Sequence, residues 1–261
     1  MFPYKDENPT ILTPYVTVGV LVVTCLVWLV YQRAGVEPGL SRSVCDGGVI
    51  PGRLMDYPVK PVMTPRGPVT LCADAPGGAW YTLVTSIFLH GGWFHLIGNM
   101  LFLWVFGNNV EDAMGHVRFV GFYLLCGIVA ALAQVLMEPG SPVPMVGASG
   151  AISGVMGAYL LLYPRVRVHM LVFLGFFITT VTVPAWLMLL YWLFLQALGS
   201  LPTLAGGVAG GTAGGGVAFL AHVGGFVAGF ALIKLFAKPE LIAAHKARTR
   251  IEIHRRGGRW Y

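Results

Sequence analysis

Four polar residues interrupt otherwise apolar stretches of the chain, and their types could together carry out one kind of chemistry. Ser149 lies in the segment GASGAISG, and His222 lies in AHVGGFVAG. His95 and Asn99 are four residues apart in HLIGN, so a helix would present both on one face. A serine hydroxyl becomes an effective nucleophile when an adjacent base accepts its proton, and His and Asn donors stabilise a developing oxyanion. These residue types therefore indicate acyl transfer.

Each signal has a structural alternative when it is taken alone. A serine in a glycine-rich turn is usually a helix cap, and the GxSG pattern of soluble hydrolases requires a preceding strand that this sequence does not predict. His222 could bridge two helices or bind a ligand, while His95 and Asn99 could hydrogen-bond between helices. The three patterns nevertheless occur in order, each in its own apolar run, and this combination favours catalysis.

The composition predicts an integral membrane protein. Of the 261 residues, 56% are hydrophobic and 11% are charged, with a mean hydropathy of +0.72, whereas soluble domains carry about 25% charged residues. The net charge of +6 does not indicate a nucleic-acid partner, because eight of the 17 basic residues lie between Lys234 and the C-terminus, beside an apolar run. Such a tail is expected to contact anionic lipid.

We predict an all-α, polytopic bundle of six transmembrane helices. The transmembrane domain covers 14–237, between a short N-terminal segment at 1–13 and the basic tail at 238–261, and includes a long outer loop at about 32–79. The six spans are predicted at about 15–31, 93–110, 119–137, 149–162, 184–198 and 217–236.

Two stretches between the spans are not predicted to be spans themselves. Residues 166–183 are rich in Val, Thr, Ile and Phe, which favour extended backbone. We interpret this stretch as a membrane-associated loop, with a seventh helix as the alternative. Residues 206–216, GGVAGGTAGGG, are expected to form a flexible connector.

The basic residues of the short loops predict the orientation. Arg118, Arg165 and Arg167 lie in connectors on the same side as the basic tail, which places both termini in the cytoplasm. The long loop also carries basic residues, but its length weakens the rule there. Cys45 and Cys72 lie in that loop, so a disulfide could form if it faces an oxidising compartment. The start of the chain does not resemble a signal or transit peptide, which favours a prokaryotic cell membrane.

Glycines predict that the fourth and sixth spans pack closely. Gly225 and Gly229 follow His222 on one helical face, and the fourth span offers a matching face of Gly150, Gly154 and Gly157. Small residues let membrane helices approach each other, so this packing would bring Ser149 beside His222. The same glycines could instead form a dimer face, so the oligomeric state stays open.

The segments HGGWFHLIGNMLFLWVFGNNVEDAMG, GASGAISGVMGAY and AHVGGFVAGF resemble those of the rhomboid intramembrane serine proteases. The resemblance implies a dyad with Ser149 as nucleophile and His222 as base. It also implies an oxyanion site formed by His95, Asn99 and the backbone N–H of Ser149, and a supporting role for His90. The supporting glycines are Gly147, Gly150, Gly225 and Gly229.

The sequence departs from the family pattern at two positions. Trp80 is followed by Tyr81 where many relatives have Trp-Arg, and Ser153 replaces a tyrosine that stacks on the histidine. The fourth and sixth spans contain no Asp or Glu, and Glu111 and Asp112 are expected at a span end near the interface.

The predicted function is cleavage of transmembrane segments of other membrane proteins, without metal or cofactor. Substrates are expected to enter past the fifth span, where Trp192 and Phe194 could shape a gate. The alternative functions are a non-catalytic binder or chaperone of membrane proteins and, less well supported, a transporter.

Overall fold

The computed structural model describes residues 2–58, 61–64, 67–75, 77–174, 177–204 and 218–255, and the described chain is mainly helical. In chain order the elements are β1 (Phe2–Asp6), α1 (Tyr15–Leu26), α2 (Gly39–Gly47), α3 (Pro51–Leu54), β2 (Val62–Thr64), β3 (Gly67–Val69), α4 (Thr82–Thr85), α5 (Trp93–Met114), α6 (His116–Met137), α7 (Ser149–Leu162), β4 (Arg167–Leu174), β5 (Phe177–Pro184), α8 (Ala185–Leu204), α9 (Phe219–Phe236) and α10 (Pro239–Arg255). A π-helical turn, Val27–Tyr31, continues α1.

Each of the six predicted spans overlaps one of the long helices α1 and α5 to α9. By length and apolar composition, α6 and α9 are able to cross a membrane, and Thr82–Phe88 together with α5 forms a pair bent by 93° that could count as a third span. Tyr15–Tyr31, Ser149–Leu162 and Ala185–Leu201 are shorter apolar helices. The six-span count therefore stays a prediction, while the positions of the helices are confirmed.

Helix α9 packs against α6, α7 and α8. Its contact with α7 is made by backbone: a methyl group on Gly229 would overlap the carbonyl oxygen of Gly154, and one on Gly225 would overlap that of Gly150. The predicted close packing of the fourth and sixth spans is confirmed. We call this contact the glycine seam, formed by Gly150, Gly154, Gly157, Gly225 and Gly229.

Helix α5 extends four residues beyond its predicted end, and this changes the environment of two carboxylates. Glu111 and Asp112 lie in the last turn of α5 and are buried inside the protein, and their expected place near the membrane interface stays a prediction. Glu111 accepts hydrogen bonds from the backbone N–H groups of Val16 and Thr17 and from the Thr17 hydroxyl. Asp112 accepts from two backbone N–H groups just before α1. Glu111 thereby satisfies donors that the start of α1 leaves free, and its charge suits the positive end of the helix dipole.

Arg167–Leu174 and Phe177–Pro184 form two antiparallel strands, so the interpretations of this stretch as a loop and as a seventh helix are wrong for its described residues. Strands β4 and β5 pair antiparallel from Arg167 opposite Pro184 to Leu174 opposite Phe177. Strand β1 adds to the other edge of β4 and gives the order β1-β4-β5. The preference of Val, Thr, Ile and Phe for extended backbone is therefore confirmed in this segment.

The predicted outer loop contains structure of its own. It holds α2, α3 and the β2–β3 hairpin, and Cys45 is disulfide-bonded to Cys72. The segment joins the turn after α6, because Val49 forms a β-bridge with Met145. The predicted connector at 206–216 lies outside the described residues.

Candidate active site

Ser149 is the first residue of α7, so its backbone N–H belongs to the first turn, where N–H groups have no partner within the helix. The Ser153 hydroxyl, one turn later, donates a hydrogen bond of 2.6 Å to the Ser149 carbonyl. An open cleft adjoins Ser149. Small residues contribute to its lining, among them Gly127, Ala130 and Ala221.

His222 lies on α9 with its Nε2 2.7 Å from the Ser149 Oγ. The glycine seam makes this distance possible, since α7 and α9 approach until their backbones touch. A neutral imidazole nitrogen at this distance can accept the hydroxyl proton. The structure thus brings these two predicted residues together.

The other ring nitrogen of His222 has a partner that sequence reasoning missed. His222 Nδ1 lies 2.8 Å from Gln196 Oε1 on α8. Gln196 is the single amide in the predicted span 184–198, and a polar side chain within an apolar helix is a recognised signal of function that could have identified it.

Trp192 and Phe194, the two residues expected to shape a gate, face different surroundings. The Trp192 ring lies 5.7 Å from the His222 ring and 6.3 Å from the Phe226 ring, measured between centroids. Phe194 is exposed on the outside of the protein. Trp192 therefore packs against the histidine, which is a contact that the gate interpretation did not include.

His95 and Asn99 lie on the first turns of α5 and both approach Gly147. A methyl group built on Gly147 would lie 2.8 Å from His95 Nε2 and 3.6 Å from Asn99 Nδ2. The Gly91 N–H donates to His95 Nδ1 over 3.4 Å. Because Nδ1 accepts, the ring proton of neutral His95 resides on Nε2, the atom nearer Gly147. Asn99 Nδ2 is buried and has no hydrogen-bond partner among the described residues.

His90 is buried, and its ring packs edge-to-face on His95 at a centroid distance of 5.0 Å. Its backbone is held by the buried Gln32 side chain. The His90 N–H donates to Gln32 Oε1 and the Gln32 Nε2 donates to the His90 carbonyl, both over 2.8 Å. Sequence reasoning missed Gln32. In the described part of the chain, no group of three or more His, Cys, Asp or Glu side chains could hold a metal ion.

Comparisons with known proteins point to one family. The Rhomboid domain model matches residues 77–239, more than half of the chain. Rhomboid-like protein 11, chloroplastic, of Arabidopsis thaliana is 31% identical over 163 residues, which are 61% of this chain and 54% of that protein.

Two further relatives match shorter regions. Rhomboid protease GluP of Bacillus subtilis is 46% identical over 83 residues, 32% of this chain and 16% of that protein. Rhomboid protein 1, mitochondrial, of Saccharomyces cerevisiae is 32% identical over 96 residues, 35% and 28% of the two chains. This chain thus spans about half or less of the length of these relatives.

The matched region runs from the residues before α4 to the start of α10 and includes the residues described above apart from Gln32. The apolar helices agree with a place in the lipid bilayer. The chain is an integral membrane protein and belongs to the rhomboid family.

Proposed function

We propose that the protein is a serine endopeptidase that cleaves transmembrane segments of other membrane proteins, with Ser149 as nucleophile and His222 as general base. The hydrogen bond of 2.7 Å between Ser149 Oγ and His222 Nε2 carries this proposal. Serine is a weak nucleophile until a base removes its proton, and this contact supplies the base. Relatives named as proteases support the same reaction class.

The reaction proceeds in two halves. Ser149 Oγ attacks the scissile carbonyl carbon while its proton passes to His222 Nε2, and a tetrahedral oxyanion forms. His222 then gives that proton to the leaving amine, which departs with the C–N bond electrons and leaves an acyl ester on Ser149. A water molecule, deprotonated by His222, attacks the ester, and the proton returns to Ser149 as the acid product leaves.

Three donors are suited to the oxyanion. They are the Nε2–H of His95, the amide of Asn99 and the backbone N–H of Ser149, at the positive end of the α7 dipole. Gly147 lies against the first two side chains and precedes Ser149 by two residues. Losing one such donor costs about 2.7–4 kcal/mol of transition-state stabilisation.

We also propose six membrane spans with both termini in the cytoplasm. Strand β1 pairs with β4, and the Lys238 N–H near the start of α10 donates to the Ala113 carbonyl at the end of α5. The N-terminal strand therefore pairs with the strand that begins at Arg167, and the segment before α10 contacts the end of α5, close to the first turn of α6, which carries Arg118. The Cys45–Cys72 disulfide supports placing the opposite segment in an oxidising compartment.

The prokaryotic cell membrane, anionic lipid at the C-terminal tail and the state of association stay predictions. Membrane proteins in a lipid bilayer are the substrate class that the family implies.

The test is reconstitution of the full chain in proteoliposomes with a labelled single-span substrate. We expect a defined product from the wild type and none from Ser149→Ala or His222→Ala. Ser200→Ala is the matched control, because among the described residues its hydroxyl donates to the Ala197 carbonyl of its own helix, and it should cleave normally. A fluorophosphonate probe, which labels activated serines, should label the wild type and not Ser149→Ala.

Product from Ser149→Ala would overturn the proposal. So would a wild type that neither cleaves nor takes up the probe, and capture of the uncleaved substrate by that protein would favour the non-catalytic binder.

A further inference from the structure

We propose that Gln196 is a positioning residue for His222, which selects the imidazole tautomer that can accept the Ser149 proton. This inference rests on the proposed function, since it assigns how the base of that site is oriented. It names a residue of α8, a helix that contributes neither the nucleophile nor the base.

The two hydrogen bonds of the ring constrain each other. A neutral imidazole carries one N–H, so one nitrogen donates and the other accepts. His222 Nε2 can act as base only when it lacks the hydrogen, which then resides on Nδ1. Gln196 Oε1 lies 2.8 Å from Nδ1 and can only accept a hydrogen bond. The opposite tautomer would face this oxygen with a lone pair, so the contact disfavours it.

A second residue of α8 also orients the plane of the His222 ring. Trp192 precedes Gln196 by four residues, so both lie on one face of the helix. The planes of the Trp192 and His222 rings are inclined by 37°. Ser153, where the resembled proteases carry a stacking tyrosine, donates to the Ser149 carbonyl instead. Helix α8 therefore supplies the orienting contacts that α7 lacks in this chain.

The partner of Nδ1 is neutral. Among the described residues, the ring nitrogens of His222 are hydrogen-bonded to Gln196 and Ser149 and not to a carboxylate. His95 is a titratable side chain that interacts electrostatically with the His222 ring. An added carboxylate at position 196 would therefore be a new charge next to the histidine, and this makes the contact measurable through the pH dependence of cleavage.

The experiment compares Gln196→Met, which keeps the side-chain length without an acceptor, with Gln196→Glu, which restores an acceptor and adds charge. In the proteoliposome assay, Gln196→Met should lower kcat about tenfold to a hundredfold with little change in KM, as expected for partners that orient a functional histidine. Gln196→Glu should recover most of kcat, and its acidic limb should move to higher pH because a carboxylate stabilises imidazolium. Leu195→Met, on the exposed side of α8, is the matched control and should behave as wild type.

The inference fails if Gln196→Met retains the wild-type kcat and pH profile. It also fails if Gln196→Glu is as slow as Gln196→Met with an unshifted acidic limb, since a purely structural role would give that result. Ser149→Ala, measured beside these variants, separates the two proposals. Cleavage by Ser149→Ala would refute the function itself, whereas an inactive Ser149→Ala beside a fully active Gln196→Met would refute only the role of Gln196.

Discussion

Gly147 shows how a single residue without a side chain can define the site. Its φ is +129°, in a region that residues with a Cβ rarely adopt. A methyl group there would also lie 2.7 Å from His95 Cε1, inside ordinary contact distance. The His95 ring occupies the space that a side chain at position 147 would need. The geometry of the proposed oxyanion site thus depends on a glycine two residues before the nucleophile.

We therefore expect Gly147→Ala to lower kcat in the proteoliposome assay about a hundredfold, because displacing His95 removes one oxyanion donor. Gly98→Ala is the control, since a methyl group there meets no atom within 4 Å, and it should keep normal cleavage. Wild-type activity of Gly147→Ala would contradict the close approach of His95 to this residue.

Some site residues could be predicted from the sequence and others could not. The difference lies in how each residue is brought close to its contact partner. The proximity of Ser149 and His222 could be predicted because each lies on a helix with a recognisable glycine face. The contact between Gln196 and His222 could not be predicted in that way, because it depends on how α8 packs against α9. Gln32 was missed for the same reason: its partner is a backbone segment 58 residues away.

At the scale of elements, β1 is attached to the bundle through one carboxylate. Asp6 Oδ2 accepts a hydrogen bond of 2.6 Å from the Tyr159 hydroxyl and one of 2.9 Å from Asn109 Nδ2. Burial raises the pKa of Asp6 from 3.8 to about 7, with the Tyr159 hydrogen bond opposing the shift. The docked strand therefore favours the protonated carboxyl.

This pKa predicts how the docking of β1 depends on pH. Below pH 3.8 the carboxyl is protonated in both docked and undocked states, and its contribution to stability is fully present. As the pH rises through about 7 the proton is lost and the contribution disappears. We expect hydrogen exchange in residues 2–6, corrected for intrinsic rates, to be slower at pH 5 than at pH 8. Linkage limits the difference to a few kcal/mol.

Asp6→Asn is the matched variant, because it keeps an acceptor oxygen and does not titrate. Its protection should be nearly the same at both pH values. A wild-type strand whose protection does not change, or an Asp6→Asn strand that keeps the full pH dependence, would contradict this account.

The elements also show the limit of pattern reasoning. The long helices could be predicted to within a few residues because apolar runs bounded by Pro, Gly and charged residues define them. The end of α5 was misplaced because Glu111 and Asp112 are charged, and a charged pair usually marks the end of a span. Their hydrogen bonds to residues at and just before the start of α1, together with the contact between Glu111 and His116, make burial of this pair tolerable. The pairing of β1 with β4 joins segments far apart in the chain, which local patterns do not encode.

At the scale of the whole molecule, the segment between α1 and α5 is tied down at several points. The Gly52 N–H donates to the Ser141 carbonyl, and a methyl group on Gly47 would contact Leu89. The disulfide closes a loop between residues 27 apart, Cys45 and Cys72. This segment thus packs on the turn after α6 and on the residues leading into α5.

We expect Cys45→Ser combined with Cys72→Ser to lower the free energy of unfolding by about 2–4 kcal/mol, as loss of a cross-link of this size typically does. Thermal unfolding in detergent micelles measures the change. Cleavage well below the new midpoint should persist, because neither cysteine lies at the proposed site.

Reductant supplies the control. It should lower the midpoint of the wild type and leave the double variant unchanged, since Cys25 and Cys126 are free thiols. An unchanged wild-type midpoint after full reduction would show that the disulfide does not stabilise this segment.

The glycine seam has a consequence for how the protein tolerates mutation. Because a methyl group on Gly157, Gly225 or Gly229 would overlap backbone atoms of the facing helix, no neighbouring side chain can shrink to accept a larger residue there. In a random library selected for activity, inactive clones should therefore accumulate at these three codons as densely as at those for Ser149 and His222. A second-site suppressor would have to move a whole helix, so such revertants should be rare.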